Sequence, residues 1–144
     1  MKGPQKWFDR SCGSWTSQRR YLFAPRFEAK DMVTSFTLMP TDPAVYCVEW
    51  DGLTSGTMTL SLNEDQTILD RSRDYFDQYG EGHSSRIKMI DDDAIVLFTE
   101  YGGQRFREEI RLIKDDQFRL RQTVGLFQET NELSLVGQYW ESRI

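Results

Sequence analysis

The sequence predicts an all-β fold, an antiparallel up-and-down barrel of about ten strands preceded by one short helix. Segments with alternating apolar and polar residues recur from one end of the chain to the other, and the links between them are short and rich in Asp, Asn and Gly. Short links favour a meander, in which each strand pairs with the next. With 144 residues, the chain is expected to form a single domain over residues 1–144 that buries a core.

The elements can be assigned in order along the chain. A proline near the start and Gly13 at the end predict a helix over residues 4–12. Ten segments with a period of two residues predict the strands: residues 15–23, 32–39, 45–50, 57–62, 68–75, 84–90, 94–101, 105–113, 118–124 and 133–140. A closed meander of this size leaves an interior for one small ligand.

Composition excludes several classes of function. The formal net charge of −5 argues against a nucleic-acid partner and against binding to an anionic membrane. The longest apolar run, residues 94–98, is far too short for a membrane span, and the first seven residues contain no apolar signal region, so we expect a soluble, intracellular protein. Two cysteines and a single histidine argue against a metal site and against a His-based hydrolytic site.

Residues 106–124 hold the main candidate site, because two alternating segments there place arginines and a glutamate on one face. We expect a three-residue turn at residues 114–116, since an odd turn keeps apolar residues opposite apolar residues. This register puts Glu109 opposite Arg121 and Arg111 opposite Arg119, with Arg107 on the same face. If the face lines a cavity, it suits a ligand with carboxylates; if it faces solvent, it has little functional meaning.

Two further motifs resemble known families. Gly13-Ser14-Trp15 resembles the G-x-W signature of lipocalins and their calycin relatives, in which an arginine from the end of the chain stacks on the tryptophan; Arg143 is the candidate here. A larger set of motifs resembles the S-type phycobiliprotein lyases, the CpcS/CpeS group. These are Trp7-Phe8, Ser11, G-S-W-T-S-Q-R-R-Y at residues 13–21, V-E-W-D-G at 48–52, T-E-Y at 99–101, E-E-I-R at 108–111 and R-L-R at 119–121.

The resemblance implies a lipocalin-like barrel that binds a linear tetrapyrrole, phycocyanobilin or phycoerythrobilin, as its substrate. The barrel would attach this bilin through a thioether bond to a cysteine of a phycobiliprotein subunit, in the cytoplasm of a cyanobacterium or in a plastid stroma. No permanently bound cofactor, metal or nucleotide is implied. The implied catalytic residues are Glu109, Arg119 and Arg121, and the ligand-binding residues are Arg19, Trp50, Tyr21, Arg107 and Arg111.

These residue types suit such a ligand. Arginines bind the two propionates, a carboxylate at Glu109 hydrogen-bonds the pyrrole N–H groups and assists proton transfer, and Trp50 and Tyr21 supply stacking surfaces. The nucleophilic thiol belongs to the acceptor, so Cys12 and Cys47 are expected to be buried small side chains. Two alternatives stay open: a non-catalytic carrier of lipocalin or fatty-acid-binding type, and an interaction module in which Arg119 is exposed to water. The sequence leaves open whether the chain acts as a monomer or as a homodimer.

Overall fold

The computed structural model describes residues 3–72 and 82–144, which form a closed antiparallel barrel with one helix. The elements are α1 (Gly3–Ser11), β1 (Gly13–Phe23), β2 (Ala29–Asp42), β3 (Val45–Asp51), β4 (Ser55–Leu62), β5 (Ile68–Arg71), β6 (His83–Met89), β7 (Ala94–Tyr101), β8 (Gln104–Ile113), β9 (Phe118–Phe127) and β10 (Leu133–Arg143). Each strand pairs with the next, and β10 pairs with β1. The predicted ten-stranded meander is confirmed; the end of predicted segment 68–75 lies outside the described residues.

One end of the barrel is filled by large apolar side chains and covered by α1. Trp7 and Phe8 of α1 are buried against Trp15 of β1, because alternate residues of each strand point into the barrel and the helix presents its apolar face to them. The other core members from the strands are Phe36, Leu38, Tyr46, Trp50, Leu60, Leu62, Leu69, Ile95, Leu97, Ile110 and Leu112. This end of the interior is therefore a packed core.

Polar contacts fasten α1 to the turns around this closed end. The Trp7 indole N–H donates to the backbone carbonyl of Asp93 at 2.8 Å. Arg10 pairs with Asp93 and Asp116, each at 2.7 Å, and the Tyr46 hydroxyl donates to the Asp9 carboxylate at 2.6 Å. A helix of nine residues is too short to be stable alone, so these contacts and its buried face hold it in place.

Arg143, near the end of β10, lies over the Trp15 ring with its guanidinium carbon 4.3 Å from the ring centroid. The predicted stacking of Arg143 on Trp15 is confirmed. The guanidinium also donates to three backbone carbonyls, those of Asp116, Cys12 and Arg10, at 2.7, 2.7 and 2.6 Å. Arg143 thereby joins the helix, the first strand and the β8–β9 turn at one point.

The predicted register of the β8–β9 hairpin is wrong. Four residues, 114–117, separate the two strands, and Ile113 pairs with Phe118. Arg121 therefore lies opposite Ile110 and not opposite Glu109, whose partner is Gln122. The prediction assumed that apolar residues of both strands share a face, whereas β9 turns its arginines inward and its Phe and Leu side chains outward.

Within residues 3–72 and 82–144, no helix has the length and apolar character that a membrane span requires.

We predict that Gly13→Ala lowers the free energy of unfolding by at least about 2 kcal/mol. Gly13 has a φ of 136°, a backbone angle that residues with a side chain rarely adopt, and an added Cβ would collide with the Arg143 guanidinium. Denaturant unfolding checks this against Gly102→Ala as a control, because Gly102 also has a positive φ of 59° but open space around it. We expect the control to cost only about 1 kcal/mol. Equal losses for the two variants would contradict a specific role for the Arg143 contact.

Candidate functional site

Beyond the packed end, the barrel interior becomes polar and charged. Three rows of inward-facing residues cross adjacent strands there. The first row is Leu112, Arg119, Glu141 and Ser17; the second is Ile110, Arg121, Tyr139 and Arg19; the third is Glu108, Thr123, Gly137 and Tyr21. Because ladder partners share a face, each row brings side chains from β8, β9, β10 and β1 together inside the barrel.

The first row contains a fully buried ion pair. Arg119 Nε lies 2.8 Å from Glu141 Oε1, and the two residues are 5% and 0% exposed. The Arg119 guanidinium also lies within 5.3 to 5.7 Å of the centroids of the Phe36, Trp15 and Trp7 rings. Burial lowers the pKa of Arg119, and the charge of Glu141 opposes this effect. For Glu141, burial raises the pKa, but the charges of Arg119 and Arg121 outweigh burial and bring the pKa of Glu141 below its usual value. Both groups are charged, and they form the boundary between the core and the polar interior.

The second row places an aromatic ring between two arginines. The guanidinium carbon of Arg121 is 4.3 Å from the centroid of the Tyr139 ring, and that of Arg19 is 5.3 Å from the same centroid. Arg19 also donates from Nε to Ser17 Oγ at 2.9 Å and lies 3.4 Å from the Tyr21 hydroxyl. Burial raises the pKa of Tyr139, against the lowering effect of Arg121, so its phenol is neutral at physiological pH.

The third row provides the carboxylate that holds Arg121. Glu108 Oε2 accepts from Arg121 Nε and Nη2 at 3.0 and 2.8 Å, and from the Thr123 hydroxyl at 3.2 Å. Burial by itself raises the pKa of Glu108, but the charges of Arg121 and Arg71 and the hydrogen bonds outweigh burial and bring the pKa to about 2. Glu108 is therefore a carboxylate at any physiological pH.

The structure brings five of the predicted site residues to the interior. Arg19, Arg119 and Arg121 face inward with Tyr21, whose ring packs edge-on against Tyr139 at 5.5 Å. Trp50 also faces the interior, where it belongs to the core cluster and packs against Gly56.

The other three predicted residues lie on the outer surface of the barrel. Glu109 pairs with Arg107 at 3.2 Å, and their side chains are 36% and 50% exposed. Arg111 pairs with Asp91 on the same outer surface at 2.9 Å. The predicted cluster of Glu109 with the inward-facing arginines is thus wrong, because the four-residue turn assigns the charged faces of β8 and β9 to opposite sides of the sheet.

Sequence reasoning missed Glu108, Glu141, Tyr139 and Arg71. A signal existed for Glu108, which shares its period-two face with Ile110 and Leu112 and so places a charge on an apolar face. For Glu141 the alternation of β10 gave no comparable signal, because its inward face carries mostly polar residues and glycine.

The arrangement suits an anionic ligand with flat, conjugated or apolar parts. Among residues 3–72 and 82–144, the charged side chains described here as facing the interior are four arginines and two glutamates: Arg19, Arg71, Arg119, Arg121, Glu108 and Glu141. Arginine binds carboxylates in a bidentate manner, and the tyrosine and tryptophan rings nearby offer stacking surfaces. The chemistry of the described interior therefore suits carboxylates beside an aromatic surface.

Fold and interior together define a lipocalin-like barrel with a charged interior, and the chain resembles specific proteins of that class. It is 28% identical, over 96% of its length and 89% of the relative's, to a protein of Nostoc sp. (strain PCC 7120) named "Putative phycocyanobilin lyase CpcS 2". The structure of the S-type phycobiliprotein lyase CPES from Guillardia theta superposes with a TM-score of 0.74 at 17% identity, covering 99% of this chain and 93% of that one.

A further structural neighbour is a protein of unknown function from the DUF3598 family of Nostoc punctiforme PCC 73102. It superposes with a TM-score of 0.67 at 15% identity, over 95% of this chain and 49% of the neighbour. The sequence profile of the CpeS-like proteins matches residues 58–144, which is more than half of the chain. The chain belongs to the CpeS-like family, the family of the S-type phycobiliprotein lyases, as its motifs predicted.

We predict that Glu108→Gln lowers the free energy of unfolding at pH 7 by about 2 to 4 kcal/mol, because it leaves Arg121 without its nearest countercharge. Glu109→Gln, one residue away but exposed, is the matched control and should cost less than about 0.5 kcal/mol. Denaturant unfolding of both variants and the wild type at several pH values tests this.

The pH dependence has a definite sign. The pKa of Glu108 is depressed in the folded state, so its contribution is fully present above its ordinary pKa of 4.5 and is lost as the pH falls toward 2. The difference between wild type and Glu108→Gln should therefore shrink over that range. A difference that stays constant from pH 7 to pH 2.5 would contradict the assigned charge state.

Proposed function

We propose that this chain binds a linear tetrapyrrole in the polar part of its barrel interior and delivers it to a cysteine of a phycobiliprotein subunit, where a thioether bond forms. The observation that carries the proposal is Arg121, which faces the interior between a carboxylate and an aromatic ring. Membership of the CpeS-like family supports the same substrate class. Phycocyanobilin and phycoerythrobilin both carry the groups that this interior suits.

The propionates of the bilin are assigned to Arg121 and Arg19. Arg121 Nη1 lies 3.9 Å from Glu141 Oε2, which is beyond hydrogen-bonding distance. The N–H groups of Arg121 Nη1 can therefore donate to a ligand carboxylate. Arg119 is enclosed by three aromatic rings and Glu141, and we assign it the role of supporting the floor of the site. Tyr21 and Trp50 contribute apolar surface at the wall.

Glu108 takes the role that the sequence assigned to Glu109. With a pKa of about 2, Glu108 carries no proton to donate at neutral pH, but as an ionised carboxylate it accepts hydrogen bonds from pyrrole N–H groups and its charge stabilises a protonated, cationic tetrapyrrole. The proposed contribution of Glu108 is therefore to hold the chromophore in one charge state and geometry. Catalysis then consists mainly of positioning.

The covalent step needs no nucleophile from this chain. The acceptor thiol adds across the exocyclic double bond of ring A, so that a carbon–sulfur bond forms, the thiol proton ends on the tetrapyrrole, and neither an oxidant nor a leaving group is required. Burial raises the pKa of Cys12 to about 11, with a further contribution from Asp9, so Cys12 is a protonated thiol at neutral pH. This supports assigning the reactive cysteine to the phycobiliprotein.

A non-catalytic carrier is the second candidate function. The observation that favours it is that the inward-facing charges are ion-paired and suited to binding, which a carrier also needs. The interaction-module hypothesis is weakened, because its prediction of a water-exposed Arg119 is wrong. We place the lyase activity where phycobiliproteins are assembled, in a cyanobacterial cytoplasm or a plastid stroma.

We predict that Arg121→Gln lowers both bilin affinity and transfer to an acceptor subunit at least about tenfold, because it removes a charge-assisted contact to a propionate. Arg107→Gln is the control, since Arg107 is exposed on the outer surface and should leave both within about twofold. Absorption titration with phycocyanobilin measures affinity, and zinc-induced fluorescence of the acceptor band measures covalent transfer.

The same experiment separates the two functions. If the wild-type protein binds the bilin but the acceptor gains chromophore no faster and no more selectively than without it, the chain is a carrier. If Arg107→Gln and Arg121→Gln behave alike, the interior is not the binding site. Circular dichroism of each variant shows whether the barrel is intact.

A further inference from the structure

We infer that Tyr139 is a positioning residue that sets the separation of Arg19 and Arg121 and thereby makes the site selective for a ligand with two carboxylates. This inference rests on the proposed function, because it concerns how the same interior recognises its substrate. The three residues are neighbours on three consecutive strands of the barrel, β1, β10 and β9.

The Tyr139 ring contacts both cations. Arg19 and Arg121 approach the same Tyr139 ring, with guanidinium carbons 5.3 and 4.3 Å from its centroid. Arg19 and Arg121 lie on the two strands that flank β10, so without the ring both guanidinium groups could turn toward a single anion between them. The ring offers each cation a favourable surface.

The ring itself is held in place. It is 5% exposed, and Tyr21 packs edge-on against it with 5.5 Å between centroids. Thr123 Oγ1 lies 3.4 Å from the Tyr139 hydroxyl. A Cβ on Gly137 would come within 2.8 Å of that hydroxyl, so the glycine makes the room that the ring occupies. The spacing of the two arginines is thus fixed by packing before any ligand arrives.

Each arginine is also held by a further hydrogen-bond partner. Glu108 fixes Arg121 through two hydrogen bonds, and Ser17 fixes Arg19 through one. Because these contacts restrict the rotamers of both long side chains, little conformational entropy is lost when carboxylates bind. The unit of two arginines and one tyrosine, here called the clamp, is therefore preorganised for two carboxylates at a set distance.

The test compares phycocyanobilin with its dimethyl ester, which keeps the tetrapyrrole but removes both negative charges. We expect the wild type to bind the diacid at least about tenfold more tightly than the ester, and Tyr139→Leu to reduce this ratio to about threefold or less. Tyr139→Phe keeps the ring and should retain the wild-type ratio. Absorption titrations give the six dissociation constants, one for each protein with each ligand, and the position of the bound band reports the bilin geometry.

Phe106→Leu provides the matched control. Phe106 is another inward-facing ring, on β8, and it packs against Tyr101 with 5.1 Å between centroids. Replacing it removes aromatic surface without touching the clamp, so any loss of affinity should be equal for diacid and ester. The ratio of the two affinities therefore separates charge positioning from general packing.

The outcomes are distinct. If Tyr139→Leu weakens diacid and ester by the same factor, or if Tyr139→Phe loses the preference for the diacid, the clamp is overturned. If Tyr139→Leu does not fold, Tyr139→Met is measured in its place, since it also removes the ring, and an unchanged preference for the diacid in that variant overturns the clamp. A wild type that binds both forms equally overturns the clamp alone, whereas a wild type that binds neither form overturns the proposed function.

Discussion

The buried ion pair between Arg119 and Glu141 is the interaction on which the polar half of this barrel depends. Its two charges lie at the boundary between an apolar core and a charged interior, where an unpaired arginine would be strongly disfavoured. Once Glu141 neutralises Arg119, the strand can also turn Arg121 inward, because the two arginines are two residues apart on the same face of β9. Because side chains alternate along a strand, the inward orientation of Arg119 and Arg121 places the apolar side chains between them on the outer surface.

This division gives the two ends of the barrel different tasks. At the closed end, α1, Trp15 and Arg143 complete a packed core and join the helix to the first strand and to the β8–β9 turn. At the other end, charges are fixed by partners, and the pKa of Glu108 lies far below neutrality. Groups that keep their charge across the physiological pH range bind and orient a ligand well, which suits the positioning role proposed for this interior.

Charge on the outer surface has a different character. Arg107 and Arg111 pair with exposed carboxylates of Glu109 and Asp91, and such pairs contribute little to stability and little to a binding site. The sequence does not distinguish the inward from the outward arginines. Leaving a buried arginine without its ion-pair partner costs much free energy, whereas leaving an exposed one without its partner costs almost none. How much each arginine contributes to stability and to binding therefore depends on whether its side chain points inward or outward, and not on how many arginines lie close together in the sequence.

Sequence alone determined the ten strands and the order of the meander, because period-two alternation and short turns are local signals. The contact between Trp15 and Arg143 was predicted from the resemblance of Gly13-Ser14-Trp15 to the lipocalin signature. Only the tertiary structure decided which face of β8 and β9 lies inside. Residues 114–116 all adopt positive φ angles, and with residue 117 they form a four-residue turn that shifts the register by one. Matching apolar faces could not reveal this, since an interior with buried ion pairs accepts arginine where an ordinary core accepts leucine.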